Sequence, residues 1–305
     1  PTFGWLFVGR TISGITGASF TTASAYIADI SDEKTRAKNF GLVGAAFGLG
    51  FIIGPAIGGL LSGWGIRAPF FAAAILSLFN WIYGYFVLPE SLSREHRRPF
   101  SWKRANPLGS LMHLKHYPAL AGLIVALALV YLGSHAVQSN WSYFTMYRFK
   151  WTPRTVGISL AVVGALVALV QGVLIRWITP KIGNEKSIYI GLLLYAAGMF
   201  LFAFSNQSWM MFVFLIPYCL GGIAGPALQA IMSGNVPRNA QGELQGALTS
   251  IMSLTSIVGP LLMTNLFAFF TSIQAPVLFP GAPFLLGGLL MLASSIVAYK
   301  SLKQN

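Results

Sequence analysis

The stretch Gly41–Leu61 reads GLVGAAFGLGFIIGPAIGGLL and decides the fold class. Its 21 residues carry no charge, and about 20 apolar residues are enough for a helix to cross the hydrocarbon core of a bilayer. Seven of these residues are glycines and one is Pro55, which in a soluble helix would cost roughly 1 kcal/mol for each Gly and about 3 kcal/mol for the Pro. In lipid, by contrast, small residues let two backbones approach closely. We therefore expect a transmembrane helix with a bare face that packs tightly against another helix.

The composition of the whole chain indicates an integral membrane protein. Of its 305 residues, 55% are hydrophobic and 9% are charged, and the mean hydropathy is +0.67, whereas about 25% of the residues of a soluble domain are charged. The net charge of +13 points to cytoplasmic loops and anionic lipid rather than to nucleic acid. A single cysteine, Cys219, excludes an intramolecular disulfide. Because the chain begins with Pro1 and enters a membrane segment at once, we expect a piece of a longer protein.

Long apolar runs with internal Gly and Pro predict helices rather than the alternating strands of a membrane barrel, so we expect an all-α fold. Nine candidate spans can be counted in the sequence. They are Phe3–Ala28, Phe40–Leu61, Pro69–Leu88, Pro118–Met146, Thr155–Ile178, Ser187–Phe204, Trp209–Met232, Leu244–Phe270 and Pro283–Tyr299.

The distribution of Lys and Arg predicts the orientation of these spans. If the loop after the first span is cytoplasmic, fifteen Lys and Arg residues lie inside and four lie outside. Cytoplasmic loops carry an excess of Lys and Arg, so this orientation is favoured. The cluster Arg148–Arg154 on the outside is the one local exception.

An internal repeat predicts the domain organisation. A shift of 205 residues places Gly54-Pro55 on Gly259-Pro260, and it carries the first span onto the seventh and the second onto the eighth. A six-helix unit repeated in parallel is an architecture of secondary transporters. We therefore expect residues 1–88 to be the last three helices of a first bundle, 89–117 a basic cytoplasmic linker, and 118–305 a second six-helix bundle, with about three helices preceding residue 1.

Two ionisable side chains inside the predicted spans are candidate functional residues, because a charge in the hydrocarbon is costly. Arg10 could face a central cavity beside the packed face marked by Gly9, Gly14 and Gly17, or it could reach the outer interface. His135, among Ser134, Gln138 and other polar residues, could exchange protons or contact a ligand. It could equally hydrogen-bond to another helix.

Uncharged polar residues and one loop complete the candidates. The candidates for a substrate cavity are His135, Gln138, Gln171 and Gln229, and the last two could instead join helices by hydrogen bonds. The loop that begins at Asp29 and contains Arg36 is either a solvated turn or an ion-pair gate that latches two bundles together. The sequence contains no phosphate-binding GxxxxGK[ST] loop, no GxSxG elbow and no cluster of residues with metal-ligand spacing, so neither an ATP-driven pump nor an enzyme is expected.

These residues resemble the major facilitator superfamily, in particular its drug/proton antiporters of the tetracycline-efflux type. The spacing Gly41, Gly50, Gly54-Pro55 and Gly58-Gly59 matches the antiporter motif of the fifth helix, and Leu6, Arg10, Ser13 and Gly14 are similar to the motif of the fourth. Segments such as GRTISGITGA, VGISLA and GELQGALTS are similar to those pumps along nearly the whole chain. The resemblance implies the major facilitator fold, with helices four to twelve of twelve present.

The resemblance also implies roles for particular residues. Arg10 corresponds to the buried arginine of proton coupling, and Asp29 and Arg36 to charge-relay partners of a cytoplasmic gate. Gly54-Pro55 corresponds to a bend at the interface of the bundles, where the helix with Gly259-Pro260 is the expected partner. No cofactor is expected, since a proton gradient supplies the energy. The expected setting is the bacterial inner membrane, with a monomeric transporter.

Two departures from the family pattern concern the substrate. Val167 and Tyr195 stand where the tetracycline pumps carry a His and an Asp, so other amphipathic drugs are candidates beside tetracycline. The leading hypothesis is proton-coupled efflux of amphipathic drugs by alternating access. A transporter of a polar metabolite and a non-transporting membrane sensor with the same fold are the alternatives.

Overall fold

The computed structural model describes residues 3–17, 19–62, 64–65, 67–92, 118–237 and 240–303, and within these ranges the regular structure is helical. A π turn at Val170–Leu174 joins two helices of one span, and a 3₁₀ turn at Gly221–Ile223 joins two helices of another. The helices are α1 Phe3–Ile15, α2 Ser19–Ile30, α3 Arg36–Ser62, α4 Ala68–Val87, α5 Pro118–Phe149, α6 Pro153–Leu169, α7 Ile175–Ile182, α8 Asn184–Ala203, α9 Ser208–Leu220, α10 Ala224–Gly234, α11 Gln241–Thr271 and α12 Ala282–Lys303.

Seven helical stretches of the described residues are long and apolar enough to cross a membrane. They correspond to the last seven predicted spans, and the α6–α7 and α9–α10 pairs each count as one stretch. The first predicted span is divided into α1 and α2 around Thr16 and Gly17, and the second falls within the 27 residues of α3. The count of nine spans therefore stays a prediction. The basic linker predicted at 89–117 lies, from residue 93 onward, outside the described residues.

The buried core lies among the helices that follow residue 118. Leu123, Leu192, Met199 and Phe284 are each fully buried, and α12 packs against both α5 and α8. In lipid such packing depends on van der Waals contact and interhelical hydrogen bonds, because lipid tails are as apolar as the side chains. The hydroxyl of Ser294 in α12 supplies one such bond, since it donates to a backbone carbonyl of α5 at 2.8 Å.

A close seam joins α3 to α6 and the π turn. A Cβ added at Gly48 would lie 2.8 Å from the backbone nitrogen of Ala168 and 2.8 Å from the carbonyl oxygen of Gly164. A Cβ added at Gly44 would overlap the side-chain amide of Gln171. The glycine-rich face expected for α3 therefore packs against its neighbours over the first half of the helix. We call the contacts of Gly41, Gly44 and Gly48 with residues 164–175 the glycine seam.

This half of the face packs against α6, and the expected contact of Gly54-Pro55 with the helix that carries Gly259-Pro260 stays a prediction. The second copy of the repeat, Gly259-Pro260 in α11, faces elsewhere: Gly259 packs on the ring of His135 in α5, and α11 packs against α2. A repeat identifies equivalent helices, and equivalent helices need not touch. Gly164 and Ala168 supply the small residues that allow α6 to approach α3.

The outer part of α3 is open in the described structure. No atom lies within 4 Å of a Cβ added at Gly50, Gly54 or Gly58. The described helices thus meet along the half of α3 that begins at Arg36, beside Lys34 and Lys38. We call this the basic end of the bundle, and the charge distribution predicts that it faces the cytoplasm.

Two helices carry little buried surface. Each described side chain from Gly4 to Gly17 in and after α1 is exposed, and α4 has no buried residue. An exposed apolar helix in water would be an aggregation hazard, whereas in a bilayer the same surface is solvated by lipid.

Candidate functional site

A cavity of about 380 Å³ lies between α3, the π and 3₁₀ turns and the helices α5, α6, α8, α9 and α10. Its mouth and walls combine aromatic rings, amides and small apolar side chains, and none of the described residues that line it is charged. The lining residues are Phe40, Val43, Gly44, Leu127, Val130, Tyr131, Ser134, Gln138, Val167, Gln171, Tyr195, Tyr218, Gly222, Gly225, Pro226 and Gln229.

Gln171 lines this cavity where α3 approaches the π turn. It is the second residue of the π turn, and its side-chain amide lies in a slot between Gly44 of α3 and Gly222 of the 3₁₀ turn. A Cβ added at Gly222 would lie 3.3 Å from Nε2 of Gln171. Single π turns occur frequently at functional sites. Here the turn carries an amide across the cavity to the glycine seam.

Aromatic side chains form another part of the wall. The rings of Tyr195 and Tyr218 meet edge to face with centroids 5.2 Å apart, a favourable geometry for two rings. Tyr131 lies beside the amide of Gln229. The wall therefore offers ring faces together with amide and hydroxyl groups, which can bind a flat molecule through both stacking and hydrogen bonds.

The structure brings three of the four predicted cavity residues to the wall. Gln138, Gln171 and Gln229 line the cavity, and Nε2 of Gln138 donates to Oγ of Ser134 at 3.3 Å. Contact of these amides with a substrate stays a prediction.

His135 lies elsewhere, because it is only 7% exposed and its ring packs on Gly259 of α11. His135 is not among the residues that line this cavity, and its contact with a substrate stays a prediction. The preceding residue, Ser134, lines the cavity, whereas the ring of His135 fills the space that Gly259 leaves on the facing helix.

Several lining residues were not among the sequence-derived candidates. Tyr131 and Ser134 stand three residues apart, and Gln138 follows four residues later, so the three share one face of α5. This spacing could have identified the cavity-lining face of α5 from the sequence. Tyr218 had no comparable signal, since it lies in an apolar run.

The two positions that depart from the family pattern both line the cavity. Val167 and Tyr195 are part of its wall, so these two differences from the family pattern change the side chains that a molecule in the cavity would contact. The wall has a methyl-bearing side chain and a phenol where the resemblance implies an imidazole and a carboxylate.

Arg10 is exposed on α1. No atom lies within 4 Å of a Cβ added at Gly9 or Gly14, so the packed interior face predicted around Arg10 is not seen in the described residues. The role of Arg10 in proton coupling stays a prediction.

Asp29 and Arg36 lie at the basic end of the bundle without pairing with each other. Oδ2 of Asp29 accepts a hydrogen bond from Ser91 at 2.9 Å, and Nη2 of Arg36 donates to the carbonyl oxygen of Ser31 at 3.4 Å. Oδ1 of Asp29 and Nε of Arg36 are buried with no hydrogen-bond partner among the described residues. Each therefore retains capacity for a further bond, and the proposed gate stays a prediction.

The turn between α2 and α3 is held by Asp32. Its Oδ1 accepts from the backbone N–H of Thr35 at 2.7 Å and from the Thr35 hydroxyl at 2.6 Å. The hydroxyl bond is the largest of the effects that hold the pKa of this carboxyl below its ordinary value. The turn thereby places Arg36 at the first position of α3.

The remaining motif residues are only partly described. α3 and α11 each continue as a single helix through Pro55 and Pro260. The side-chain surroundings of Pro55 and Gly59 lie outside the described part of the structure. The bend and interface role predicted for this part of α3 stays a prediction.

Comparison with known proteins places this arrangement in a family. The family model of the Major Facilitator Superfamily matches residues 1–147 and 123–303. The class C tetracycline resistance protein of Escherichia coli is 40% identical over 88% of this chain and 67% of its own length. The class G protein of Vibrio anguillarum is 37% identical over 88% of this chain and 68% of its own length. The chain thus spans about two thirds of the length of these relatives.

A solved structure has the same fold. The human organic anion transporter MFSD10 (TETRAN) superposes with a TM-score of 0.82 at 23% identity, covering 97% of this chain and 71% of its own. At this identity the likeness shows the fold alone. Together with seven apolar helices among the described residues, the matches describe a multi-pass protein of the inner membrane. The chain belongs to the Major Facilitator Superfamily.

Proposed function

We propose that this chain exports amphipathic drugs, tetracycline-like or of several kinds, in exchange for protons, by alternating access. The observation that carries the proposal is the uncharged cavity of about 380 Å³ between α3 and the helices α5, α6, α8, α9 and α10, bounded by the glycine seam. Relatives whose names state tetracycline resistance support the choice of substrate class.

The chemistry of the wall favours an amphipathic substrate. Small-molecule sites are mostly apolar, with a few polar groups that fix orientation. Tyr195 and Tyr218 offer ring faces, while Gln171 and Gln229 offer amides. A polar metabolite such as a sugar would need more hydrogen-bonding groups than the described wall provides, which weakens that alternative. Tetracycline remains one candidate, although Val167 and Tyr195 alter the wall relative to the family pattern.

The glycine seam provides a means of alternating access. Interfaces between rigid helices change between discrete arrangements rather than deforming continuously. Gly44 and Gly48 allow α3 to close on α6 at the basic end, while no described atom lies within 4 Å of a Cβ added at Gly50, Gly54 or Gly58. A non-transporting sensor would need no cavity between such surfaces. We take the transporter to act as a monomer, without a cofactor, with the proton gradient as its source of energy.

Everted membrane vesicles test the proposal. Respiration acidifies their lumen, and substrate added outside should enter in exchange for protons and so raise the lumenal pH, read as recovery of a quenched acidotropic dye. We expect this recovery with at least one tetracycline or lipophilic drug. Its absence across tetracyclines and common cationic drugs, with the protein present in the membrane, would refute drug/proton exchange.

Replacement of Arg10 tests the coupling. Arg10→Ala should abolish substrate-dependent proton release while leaving the amount of protein in the membrane unchanged, because a membrane-embedded cation is retained for function more often than for stability. Arg67→Ala is the matched control, since Arg67 is also exposed and lies in the loop before α4. Unchanged exchange in Arg10→Ala would reassign this residue to anchoring at the interface.

A further inference from the structure

A second depression lies at the basic end, away from the central cavity. Its volume is about 360 Å³, and it is bounded by the start of α3 on one side and by α7 and the start of α8 on the other. Its rim carries three exposed cations, Lys34, Lys38 and Arg176, and one carboxylate, Glu33. Such a site attracts an anion, because cations from two separate helices converge on one volume.

The floor of this depression contains a hydroxyl without a partner. Thr179 lines the depression, is 8% exposed, and its Oγ makes no hydrogen bond within the described structure. Its neighbours on the floor, Ala37 and Ile175, are buried and apolar. Buried polar groups almost always have partners. The Thr179 Oγ is itself closed off from solvent, so it reaches an oxygen acceptor in the depression once its side chain rotates toward that acceptor.

The start of α8 adds backbone donors. Gly183 precedes the helix with φ +82, so the position favours glycine, and no side chain caps the helix by a hydrogen bond. The first N–H groups of a helix have no partner within it, and the helix dipole makes this end attractive to anions. Gly183 and Asn184 line the depression. Glu185 is the acidic residue of this first turn and offsets part of the dipole.

We propose that this depression binds a phosphate group, either of an anionic lipid headgroup or of free phosphate. The rim cations neutralise the charge, Thr179 donates a hydrogen bond from the floor, and the α8 N-terminus faces the same volume. Trp177, which is 66% exposed on α7, is an aromatic residue of the kind enriched at the membrane interface. A ligand here contacts α3 on one side and α7 and α8 on the other, so it stabilises their association. The proposal does not depend on transport.

Thermal unfolding of the purified chain in lipid nanodiscs tests the site. One series replaces phosphatidylcholine stepwise by phosphatidylglycerol, and a second adds inorganic phosphate to phosphatidylcholine discs. A ligand that binds the folded state raises Tm in a saturable way. A response to phosphatidylglycerol identifies the site as one for lipid headgroups, and a response to phosphate alone identifies a soluble ligand. A saturable response to neither overturns the proposal.

Three variants link the response to the depression. Lys38→Gln should raise the half-maximal ligand level about fivefold, as expected for one cation near an anionic surface. Thr179→Val keeps the shape of the side chain and should be at least as stable as the original protein without ligand, yet it should respond more weakly. Lys300→Gln removes a basic residue near the end of α12 and should keep the full response. Equal weakening in Lys300→Gln and Lys38→Gln would show general charge attraction and refute a specific site.

Discussion

Replacement of Gly48 by alanine tests the glycine seam directly. The new Cβ would lie 2.8 Å from the backbone nitrogen of Ala168 and 2.8 Å from the carbonyl oxygen of Gly164, whereas ordinary contact begins at 3.4 Å. Both obstructing atoms belong to the backbone, so no side-chain rotation can relieve the overlap. α3 and α6 must therefore separate by about 0.6 Å at this point, which is the kind of strain that overpacking produces.

The magnitude follows from two opposing effects. Overpacking of a close contact costs about 1–3 kcal/mol, and replacing Gly by Ala within a helix recovers up to about 1 kcal/mol of helix propensity. When the full 1 kcal/mol is recovered, the middle of the overpacking range leaves a net loss of about 1 kcal/mol and its upper end about 2 kcal/mol, equivalent to a factor of roughly 5–30 in an equilibrium constant. If the seam closes in only one of two transport states, that state becomes less populated by this factor.

Gly157→Ala provides the matched control in the same pair of helices. No atom lies within 4 Å of a Cβ added at Gly157 in α6, so only the gain in helix propensity acts and Tm should stay equal or rise. Gly48→Ala should lower Tm of the purified protein and increase hydrogen exchange in α3 and α6. Equal Tm and equal exchange in the two variants would refute the close contact of α3 with α6.

Three further predictions concern the seam, the core and the turn before α3. The double variant Ala45→Cys with Gly172→Cys should form a disulfide on mild oxidation and stop transport until a reductant is added. The reason is that the Cβ atoms at these positions are 3.3 Å apart, close to the range found in disulfides. A pair of cysteines that remains unlinked would contradict the close contact of α3 with the π turn. Ser294→Ala should destabilise by about 0.6–1.7 kcal/mol, whereas Ser256→Ala, whose bond stays within its own helix, should change Tm little; the reverse order would count against the interhelical bond. Asp32→Ala should lower Tm near neutral pH. The difference in Tm from the original protein should vanish as pH falls through the lowered pKa of the Asp32 carboxyl, since a carboxylate with a depressed pKa stabilises only while ionised. A difference in Tm that persists in acid would exclude the carboxylate as its cause.

The sequence was sufficient for the fold class and for the helix that carries the seam. The uncharged run of 21 residues and its repeated small residues follow from local composition. The internal repeat at a shift of 205 residues follows from comparing the sequence with itself. None of these observations requires knowledge of contacts. The partner of Gly48 could not be obtained in this way. Small residues allow another helix to approach closely, but they do not identify which helix does so. Several helices of the chain have faces with similarly small residues.

Candidate residues were predicted less evenly than the helices. Gln171 and Gln229 could be found because an amide within an apolar run is costly and stands out. His135 stood out for the same reason and yet packs on Gly259, since a rotation of about 100° per residue separates neighbours in sequence. The π turn that carries Gln171 had no sequence signal, because its extra residue is visible only in the hydrogen bonds of the backbone.

The π turn at Val170–Leu174 also bears on how this span can move. A π turn holds one residue more than an α turn, and it can slide along a helix when one backbone hydrogen bond exchanges its acceptor for a neighbouring one. Each such step rotates the side chains within the turn by about one residue, or roughly 100°, without unfolding the helix. Gln171 could thus leave the slot between Gly44 and Gly222 through a twist within a single helix, independent of any displacement between whole bundles.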